Sequence, residues 1–382
     1  MKSNDPTDLV QVPELDGSIY LDPEIFDLEM QRIFERTWLY AAHVSELPNV
    51  GDFKTFDVGR EPIILVRGED GKLSAYLNRC RHRAATVCQD ECGNARRFQC
   101  VYHGWIYRTD GTLVSITDAD GYPADIDQSA LSLQRVPRVG TVHGFVFVSL
   151  AEEGPTLEEH LGGVAAYLKY FNDLAPDGTI RVFEGVQKTA YDGNWKLAME
   201  NGTDSYHPAY LHRTVLPPDF KGSYHGEDSL GRVGGVDGHG ILDMRDYPPI
   251  VPGGPPESAM YLSVFPNLVV LRSQIRQIIP VSVDRTVICT WAVWLDGLDE
   301  EQNVQRLRIH ENAFGAAGLV AADDYEAFHR ITDGLRAQSA PTLLISRGAH
   351  REVDDDGGRW ASITDETPTR ALYESWSRWM GR

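Results

Sequence analysis

The stretch that decides the fold begins at Cys80-Arg81-His82 and ends at Cys100-Val101-Tyr102-His103. Each end supplies one cysteine and one histidine from a tight loop. Short runs with the composition of β-strands lie around it, and Asp70-Gly71 and Asp110-Gly111 are typical of the turns in β-hairpins. The pattern therefore predicts a small all-β domain in which two loops hold a metal site.

Two thiolates and two imidazoles are the ligands of a Rieske [2Fe–2S] centre, in which histidines replace cysteines on one of the two irons. In that arrangement Cys80 and Cys100 would hold one iron, and His82 and His103 would hold the other. Zinc also binds two cysteines and two histidines, but the spacings of zinc fingers differ. Here both pairs mix a cysteine with a histidine, which favours iron–sulfur over zinc.

A second group of candidate metal ligands lies between Glu200 and His212, where the sequence reads ENGTDSYHPAYLH. Asp204 and His207 are spaced i, i+3, so a helix would place them on one face. Pro208 disturbs a regular helix and could turn His212 back toward His207. A carboxylate and two imidazoles suit a divalent transition metal. The alternative is a polar turn that contains two ordinary histidines.

Composition limits the function classes. The chain has 382 residues, 42% of them hydrophobic, and a net charge of -20, which argues against nucleic acid or an anionic membrane as partner and leaves open a basic redox partner. Five cysteines are no disulfide framework, and Cys88 and Cys92 are interpreted as loop residues. We see no signal peptide and no apolar run long enough to cross a membrane, so we expect a cytoplasmic protein.

The predicted organisation has three parts. Residues 1–38 form a helical segment that packs with the catalytic domain, residues 39–153 form the small β domain, and residues 154–382 form the catalytic domain. Asp22 can cap the first helix, predicted over Pro23–Trp38. In the catalytic part we predict strands at Arg181–Tyr191, Ala259–Arg272, Gln274–Pro280 and Arg285–Leu295, and helices at Gln302–Ala316, Asp323–Arg336 and Thr369–Met380.

Taken together, the sequence resembles the alpha (large) subunit of the Rieske non-heme iron ring-hydroxylating oxygenases, of the benzoate and naphthalene dioxygenase types. The likeness rests on the two Cys/His loops, which extend to Arg83 and to Trp105. It also rests on the D-x2-H-x4-H spacing of Asp204, His207 and His212. It implies an α+β fold, with a small all-β Rieske domain and a catalytic domain in which helices flank an antiparallel sheet (a helix-grip or START-like fold).

The resemblance also implies the role of the acids. Asp324 matches the third iron ligand of the family, so that His207, His212 and Asp324 form a 2-His-1-carboxylate site. Asp323 and Asp324 form an acidic pair, for which helix N-capping is the alternative role. Both roles are compatible if Asp323 caps the helix while Asp324 binds iron. Asp204 would bridge to a Rieske histidine of a neighbouring subunit. This implies a ring of three alpha subunits, to which a small beta subunit can be added (alpha3beta3).

The implied reaction uses dioxygen and electrons from a ferredoxin or reductase, which in turn draws on NAD(P)H, to form a cis-dihydrodiol on an aromatic hydrocarbon or aromatic acid. A monooxygenase or demethylase with the same two iron centres is the alternative, and a zinc-stabilised binding protein or a pure electron carrier are rivals from other classes. Gly231–Gly240 lacks the flanking strand and helix of a dinucleotide site. We therefore predict a mobile loop there, over the substrate channel.

Four residues match positions that line the substrate pocket of the family: Asn201, Gly202, Phe314 and Val320. Phe314 and Val320 are also consistent with ordinary core positions. Gly202 stands where some relatives carry a bulky residue, which suggests a roomier cavity. Arg272 and Arg276 could pair with a substrate carboxylate, although such arginines more often lie at surfaces. The run Phe265-Pro266-Asn267-Leu268, with Gln274-Ile275-Arg276 after it, resembles benzoate-type members of the family, and this resemblance implies an aromatic acid.

Overall fold

The computed structural model describes residues 5–215, 231–246 and 257–382. The chain forms two compact units, one made of Phe34–Gly154 and the other of Met1–Ile33 together with Pro155–Arg382. Elements are numbered below in chain order. The fold is α+β, and the predicted combination of a small all-β unit with a larger sheet-and-helix unit is confirmed.

The larger unit begins with a short hairpin and a helix: β1 (Val10–Gln11), β2 (Glu14–Asp16) and α1 (Pro23–Glu29). As predicted, Asp22 caps α1, because its carboxylate accepts a hydrogen bond of 2.9 Å from the backbone N–H of Glu24. The predicted helix to Trp38 is too long. After Glu29 the chain widens into a π-helical turn, Met30–Phe34, and the buried strand of the next unit begins at Leu39.

The smaller unit consists of short antiparallel strands: β3 (Leu39–His43), β4 (Asp52–Val58), β5 (Glu61–Arg67), β6 (Leu73–Leu77), β7 (Cys92–Asn94), β8 (Arg97–Gln99), β9 (Ile106–Arg108), β10 (Leu113–Ser115), β11 (Arg138–Val142) and β12 (Phe145–Ser149). They pair in the orders β6-β5-β4-β7, β10-β9-β8 and β11-β12-β3. Both predicted hairpin turns are present. Gly71 and Gly111 have positive φ values of 76° and 82°, which glycine adopts without strain.

The larger unit continues with these elements: α2 (Leu157–Leu161), α3 (Val164–Asn172), β13 (Ile180–Val182), β14 (Gln187–Tyr191), α4 (Trp195–Asn201), α5 (Pro208–Leu211), β15 (Arg232–Val236), β16 (His239–Asp243), β17 (Met260–Val264), β18 (Leu268–Leu271), β19 (Gln274–Ser282), β20 (Arg285–Leu295), α6 (Glu300–Phe314), α7 (Ala321–Leu335), β21 (Thr342–Leu344), β22 (Val353–Asp355), β23 (Gly358–Ser362) and α8 (Thr367–Met380). Among the helices in the described ranges, none is both long and apolar enough to cross a bilayer.

The main sheet of this unit runs β13-β20-β19-β18-β17-β16-β15-β23-β22 through the described residues, and β14 also pairs with β20. Two predicted strands are each divided in two. Arg181–Tyr191 forms β13 and β14, which pair with successive parts of β20. Ala259–Arg272 forms the hairpin β17–β18, because the chain reverses at Phe265-Pro266-Asn267.

The prediction of a mobile loop at Gly231–Gly240 is wrong. This segment is the buried hairpin β15–β16 in the middle of the sheet, paired on its other edge with β23. Its glycines serve close packing rather than flexibility. A Cβ atom at Gly235 would lie 2.6 Å from the Cβ of Ala371 on α8, and one at Gly234 would lie 2.7 Å from the ring of Trp360.

A buried ion pair joins the two sequence segments of the larger unit. The Glu29 carboxylate, at the end of α1, accepts from Lys196 Nζ at 2.5 Å, and both side chains are fully buried. It also accepts from the indole nitrogens of Trp195 at 2.8 Å and Trp376 at 2.6 Å. The charge is therefore paired and hydrogen-bonded, as burial requires. The residues of this buried hydrogen-bonded group lie in α1, α4 and α8.

Candidate functional site

The two Cys/His loops of the smaller unit are closed by their own backbone. The N–H of Cys80 donates to the carbonyl of Ala85 at 2.8 Å, and the N–H of Cys100 donates to the carbonyl of Trp105 at 2.9 Å. Cys80 and Cys100 are free thiols, each 2% exposed, and belong to one hydrophobic core cluster. The loops thus present two buried sulfurs from a rigid base.

The histidines of these loops lie side by side. The ring centroids of His82 and His103 are 4.6 Å apart, and the His82 ring stacks on Trp105 at 5.0 Å with an angle of 8°. His82 Nδ1 is buried without a hydrogen-bond partner among the described residues. An orphaned imidazole nitrogen, a second imidazole and two buried thiols are the donor set that a [2Fe–2S] cluster requires, so these residues fit that group.

Tyr107, on β9, supports the first cysteine, a role that sequence analysis missed. Its hydroxyl lies 3.2 Å from Cys80 Sγ and accepts from the backbone N–H of Arg81 at 3.1 Å. Burial, and then the hydrogen bond with Cys80, raises the pKa of Tyr107. The hydroxyl therefore stays protonated and donates to the sulfur once Cys80 is a thiolate.

The second group of predicted ligands lies where a helix breaks. Helix α4 ends at Asn201, and the chain is irregular until α5 starts at Pro208. The prediction that Asp204 and His207 share a helical face is therefore wrong. Pro208 occupies the first position of α5, where its missing N–H is tolerated. His207 and His212 flank this one-turn helix, and their ring centroids are 5.2 Å apart.

Asp324, in the first turn of α7, faces both histidines. Its Oδ1 lies 3.5 Å from His207 Nε2 and 3.2 Å from His212 Nε2. One ligand atom from each of the three residues lies within 4.8 Å of the others. His212 and Asp324 are buried, and His207 is partly buried. Two imidazoles and a carboxylate that converge in this way fit a ferrous ion with open coordination positions.

A further carboxylate lies behind each histidine. Asp204 Oδ2 is 3.1 Å from His207 Nδ1, and Asp323 Oδ2 is 3.3 Å from His212 Nδ1. Such outer carboxylates fix the tautomer and orientation of a ligating imidazole. The alternative in which Asp323 caps the helix is not found. Helix α7 starts after Val320 without a side-chain cap, and the carboxylate of Asp323 is turned to His212 instead.

These contacts shift the pKa values of Asp204 and His212. Burial alone would raise the pKa of Asp204, but hydrogen bonds from His207 and from the N–H of Tyr206 hold it below the ordinary value. Burial alone would lower the pKa of His212, but Asp324 and then Asp323 raise it above the ordinary value. The raised pKa of His212 shows that the carboxylates of Asp324 and Asp323 favour positive charge at this ring.

A cavity of about 130 Å³ opens beside this centre. The residues on its wall include the four predicted ones, Asn201, Gly202, Phe314 and Val320, and the three converging side chains. Sequence analysis missed the apolar wall contributed by the sheet: Leu242, Met244, Tyr261 and Leu271. Their only sequence signal is that they lie in or beside strands, since the face that each presents depends on the register of the sheet.

Two of the predicted residues have roles that sequence analysis did not foresee. Asn201 Nδ2 donates to Asp324 Oδ1 at 3.1 Å and lies 3.4 Å from His207 Nε2, so it touches the converging groups themselves. Gly202 faces the sheet. A Cβ atom there would approach Ser263 Oγ to 2.7 Å and Val269 Cγ1 to 2.8 Å, so this glycine permits close packing of α4 and does not by itself widen the cavity.

Two family descriptions match the chain. Residues 37–130 match the Rieske [2Fe-2S] domain, and residues 173–382 match the ring hydroxylating alpha subunit (catalytic domain). The second match covers more than half of the chain, and the two follow each other in the order that the motifs predicted. The chemistry of the family rests on a Rieske cluster, mononuclear iron, dioxygen and electrons supplied by a reductase.

Individual relatives agree with this. The large subunit of anthranilate 1,2-dioxygenase from Acinetobacter baylyi is 32% identical over 87% of this chain and 80% of that protein. The alpha subunit of an N,N-dimethyl phenylurea N-demethylase from Sphingobium sp. is 31% identical over 81% of this chain and 77% of that protein. The crystal structure of naphthalene 1,2-dioxygenase from Rhodococcus sp. superimposes with a TM-score of 0.88, at 26% identity, covering 100% of this chain and 99% of that one.

The resemblance inferred from the two Cys/His loops and the D-x2-H-x4-H spacing is thus confirmed, as are the predicted enzyme class and cofactors. The alternatives without redox chemistry, a zinc-stabilised binding protein among them, lose their basis. Ring-hydroxylating oxygenases are oxidoreductases that act with a ferredoxin or reductase on small aromatic substrates. This chain belongs to the family of Rieske ring-hydroxylating dioxygenases, as an alpha subunit.

Proposed function

We propose that this protein adds both atoms of dioxygen to one aromatic ring and forms a cis-dihydrodiol. The ring gains two oxygen atoms and two hydrogens, and the two electrons come from NAD(P)H through a separate reductase or ferredoxin. The observation that carries the proposal is the position of His207, His212 and Asp324 on the wall of a cavity. A substrate in that cavity would lie directly beside the iron-binding residues.

We assign the iron-binding roles as follows. Cys80 and Cys100 hold one iron of the cluster, and His82 and His103 hold the other. His207, His212 and Asp324 hold the mononuclear iron, which, when bound, supplies the activation of dioxygen. The free nitrogen of His82 and the burial of both thiols support the first assignment. The convergence of the three ligand atoms within 4.8 Å supports the second.

The neighbouring residues position these ligands and the substrate. Asp323 is hydrogen-bonded to Nδ1 of His212, and Asp204 lies in contact with Nδ1 of His207, which leaves each Nε2 directed at Asp324. The amide of Asn201 fixes the Asp324 carboxylate. The apolar wall keeps water away from the reacting ring. The cavity volume of about 130 Å³ is close to that of an engineered cavity of roughly 150 Å³ that binds benzene. It therefore favours a substrate with a single ring.

Asp204 is a candidate for the bridge between subunits. Its side chain is 37% exposed, although one carboxylate oxygen contacts His207 and the other accepts from the N–H of Tyr206. The exposed part can accept an imidazole N–H from a Rieske histidine of a neighbouring subunit, which would connect the two iron centres by hydrogen bonds. This role requires an assembly, and we propose a trimer of alpha subunits, alone or as alpha3beta3.

The test is oxygenation by the reconstituted holoenzyme with a reductase, isotopically labelled dioxygen and single-ring aromatics such as benzoate and toluene. We expect two labelled oxygens in each product molecule. His207→Ala should abolish the product and leave the visible spectrum of the cluster unchanged. His329→Ala, an exposed histidine on α7, is the matched control and should behave as wild type. Product formation by His207→Ala would refute the assigned iron site.

Oxidative N-demethylation is the second candidate, because one relative of comparable identity carries that activity in its name. Demethylation inserts a single oxygen atom and releases formaldehyde. The same labelled incubation, with an N-methylated aryl urea as substrate, therefore separates the two functions. One labelled oxygen per turnover and formaldehyde would favour the demethylase.

A further inference from the structure

We propose that Arg276 anchors a carboxylate of the substrate, so that the preferred substrates are aromatic acids. This inference rests on the proposed function, since it names the substrate class of the same cavity. Arg276 lies on β19, is only 7% exposed, and forms part of the cavity wall. It contributes a buried positive charge to a cavity whose other walls are largely apolar.

The guanidinium of Arg276 has few partners. Its Nε donates to Gln274 Oε1 at 3.0 Å, and its central carbon lies 5.1 Å from the centroid of the Phe314 ring. Among the described residues, no carboxylate forms an ion pair with it, and its two terminal NH₂ groups have no hydrogen-bond partner. A buried charge without a counter-ion is costly. A ligand that brings a carboxylate would remove this cost with two parallel hydrogen bonds.

The other arginine of the cavity is different. Arg272 is paired with Glu257 at 3.0 Å, and both side chains are largely buried, at 16% and 15% exposure. Its charge is therefore already compensated inside the protein. Sequence analysis had treated Arg272 and Arg276 as equivalent candidates for a substrate carboxylate. The ion pair with Glu257 separates them and leaves Arg276 as the cation available to a ligand.

His310 and Gln274, two neighbours of Arg276, carry no negative charge that could compensate it. His310, on α6, is 2% exposed, and burial followed by the charge of Arg276 lowers its pKa to about 4, so it is neutral at pH 7. Gln274 is fully buried, and its Nε2 has no hydrogen-bond partner in the described part of the chain. These two residues, which lie behind the cavity wall, therefore leave the charge of Arg276 uncompensated, and this suits an anionic ligand.

The charge of Arg276 also orients the ligand. Asp324 lies on the same wall but forms no ion pair with Arg276. An aryl carboxylate would be attracted to the uncompensated charge of Arg276. Its carboxylate would therefore turn to Arg276 and its ring to the side of His207 and His212. A neutral aromatic has no such preference, so the proposal concerns regiochemistry as well as affinity.

The test measures the binding of benzoate and of its neutral analogue benzamide to the holoenzyme by titration calorimetry. Wild type should bind benzoate more tightly. Arg276→Gln should weaken benzoate binding about 100-fold, as expected for loss of one partner of a buried charged pair, and change benzamide binding by less than about 3-fold. Arg276→Lys keeps the charge but cannot form the two parallel hydrogen bonds. Its affinity for benzoate should therefore lie between those of wild type and Arg276→Gln.

Arg285→Gln is the matched control, because it removes the same charge from an exposed arginine of the neighbouring strand β20 and should leave both affinities unchanged. The cluster spectrum of each variant reports on folding. The comparison of benzoate with benzamide on the wild-type protein needs no variant. Equal affinities in wild type, or an unchanged benzoate affinity in Arg276→Gln, would overturn the proposal.

Turnover separates this proposal from the function on which it rests. If Arg276→Gln still oxidises toluene but has lost most activity on benzoate, both are supported. If benzoate binding depends on Arg276 but wild type dihydroxylates no aromatic substrate, the anchor is supported and the proposed reaction fails. If benzoate is dihydroxylated equally well by wild type and Arg276→Gln, the reaction is supported and the anchor is refuted.

Discussion

The two groups of candidate metal ligands are built in opposite ways. The Cys/His group comes from two short loops, each closed by backbone hydrogen bonds, and its rings are held by packing against Trp105 and against each other. The His/Asp group joins residues from distant parts of the sequence, and its rings are held by the carboxylates of Asp204 and Asp323. The first site depends on local geometry and packing, and the second depends on tertiary structure and charge.

The largest effect should follow from removal of the carboxylate at the second site. We expect Asp324→Ala to lower iron affinity by more than the roughly 100-fold typical of an outer-sphere change, and to abolish turnover, because a direct ligand is lost. Metal analysis and product yield measure this, while the absorption of the cluster should not change. Asp333→Ala, an exposed acid on the same helix, is the control. If Asp324→Ala loses the cluster as well as the iron, the two sites are not independent and the contrast between them is wrong.

The next effect concerns pH and the helix that leads into the second site. Burial raises the pKa of Glu200 from 4.5 to about 7, even though hydrogen bonds from Tyr373 and Tyr20 and the charge of Lys196 lower it, while Asp204 raises it further. The folded protein therefore binds a proton that the unfolded chain releases between pH 4.5 and about 7. Stability from this group is complete below pH 4.5 and is lost as the pH rises through 7, by about 3 kcal/mol.

Glu200→Gln cannot titrate, so its unfolding free energy should change less between pH 5 and 8 than that of wild type. Denaturant unfolding across this range is the measurement. Glu326→Gln, an exposed glutamate on α7, is the control and should keep the wild-type slope. Identical slopes in wild type and Glu200→Gln would show that burial of this carboxyl does not govern the pH dependence.

A third change tests whether charge holds the rings of the second site. Asp323→Asn keeps the size of the side chain but weakens the contact with His212 Nδ1, so we expect iron affinity to fall by about 10- to 100-fold. Competition with a chelator measures this affinity. If Asp323→Asn binds iron as wild type does, packing alone must orient His212, and the contrast between the two sites is smaller than we infer.

The smallest effect concerns the first site, where one polar contact supplements the packing. Tyr107→Phe removes the hydroxyl 3.2 Å from Cys80 Sγ, and hydrogen bonds to the sulfurs raise the potential of such clusters. If this hydrogen bond favours the reduced cluster by about 1 kcal/mol, its loss should lower the reduction potential by on the order of 50 mV. Voltammetry of the cluster measures the shift. Tyr102→Phe, on the exposed tip of the second loop, should leave the potential unchanged.

The same contrast explains what the sequence could predict. The grouping of the four Cys/His residues and both hairpin turns of the smaller unit are local features, and local patterns predicted them. His207 and His212 are also close to each other in sequence. Asp324 is far from this segment, since it follows Asn201 by 123 positions. Only the resemblance to a family could connect Asp324 with the two histidines. No local rule connects residues at that separation.

The failures have a common physical origin in tertiary contacts. The glycines of β15–β16 have the composition of a loop, but they are required because α8 and Trp360 approach the backbone closely. Asp323 has the position of a helix cap, but its carboxylate is bound to His212. Arg272 and Arg276 look alike in sequence, and only the ion pair with Glu257 distinguishes them. In each case a distant partner, invisible to local patterns, decides the role.

The buried carboxylate of Glu29 has a consequence for how the protein is made. Its partners Lys196, Trp195 and Trp376 are synthesised after the whole of the smaller unit, which interrupts the larger one in sequence. The segment that carries Glu29 must therefore wait, with its charge in water, until α8 leaves the ribosome. We expect the smaller unit to fold before the larger one, which cannot close around Glu29 until α8 has been synthesised.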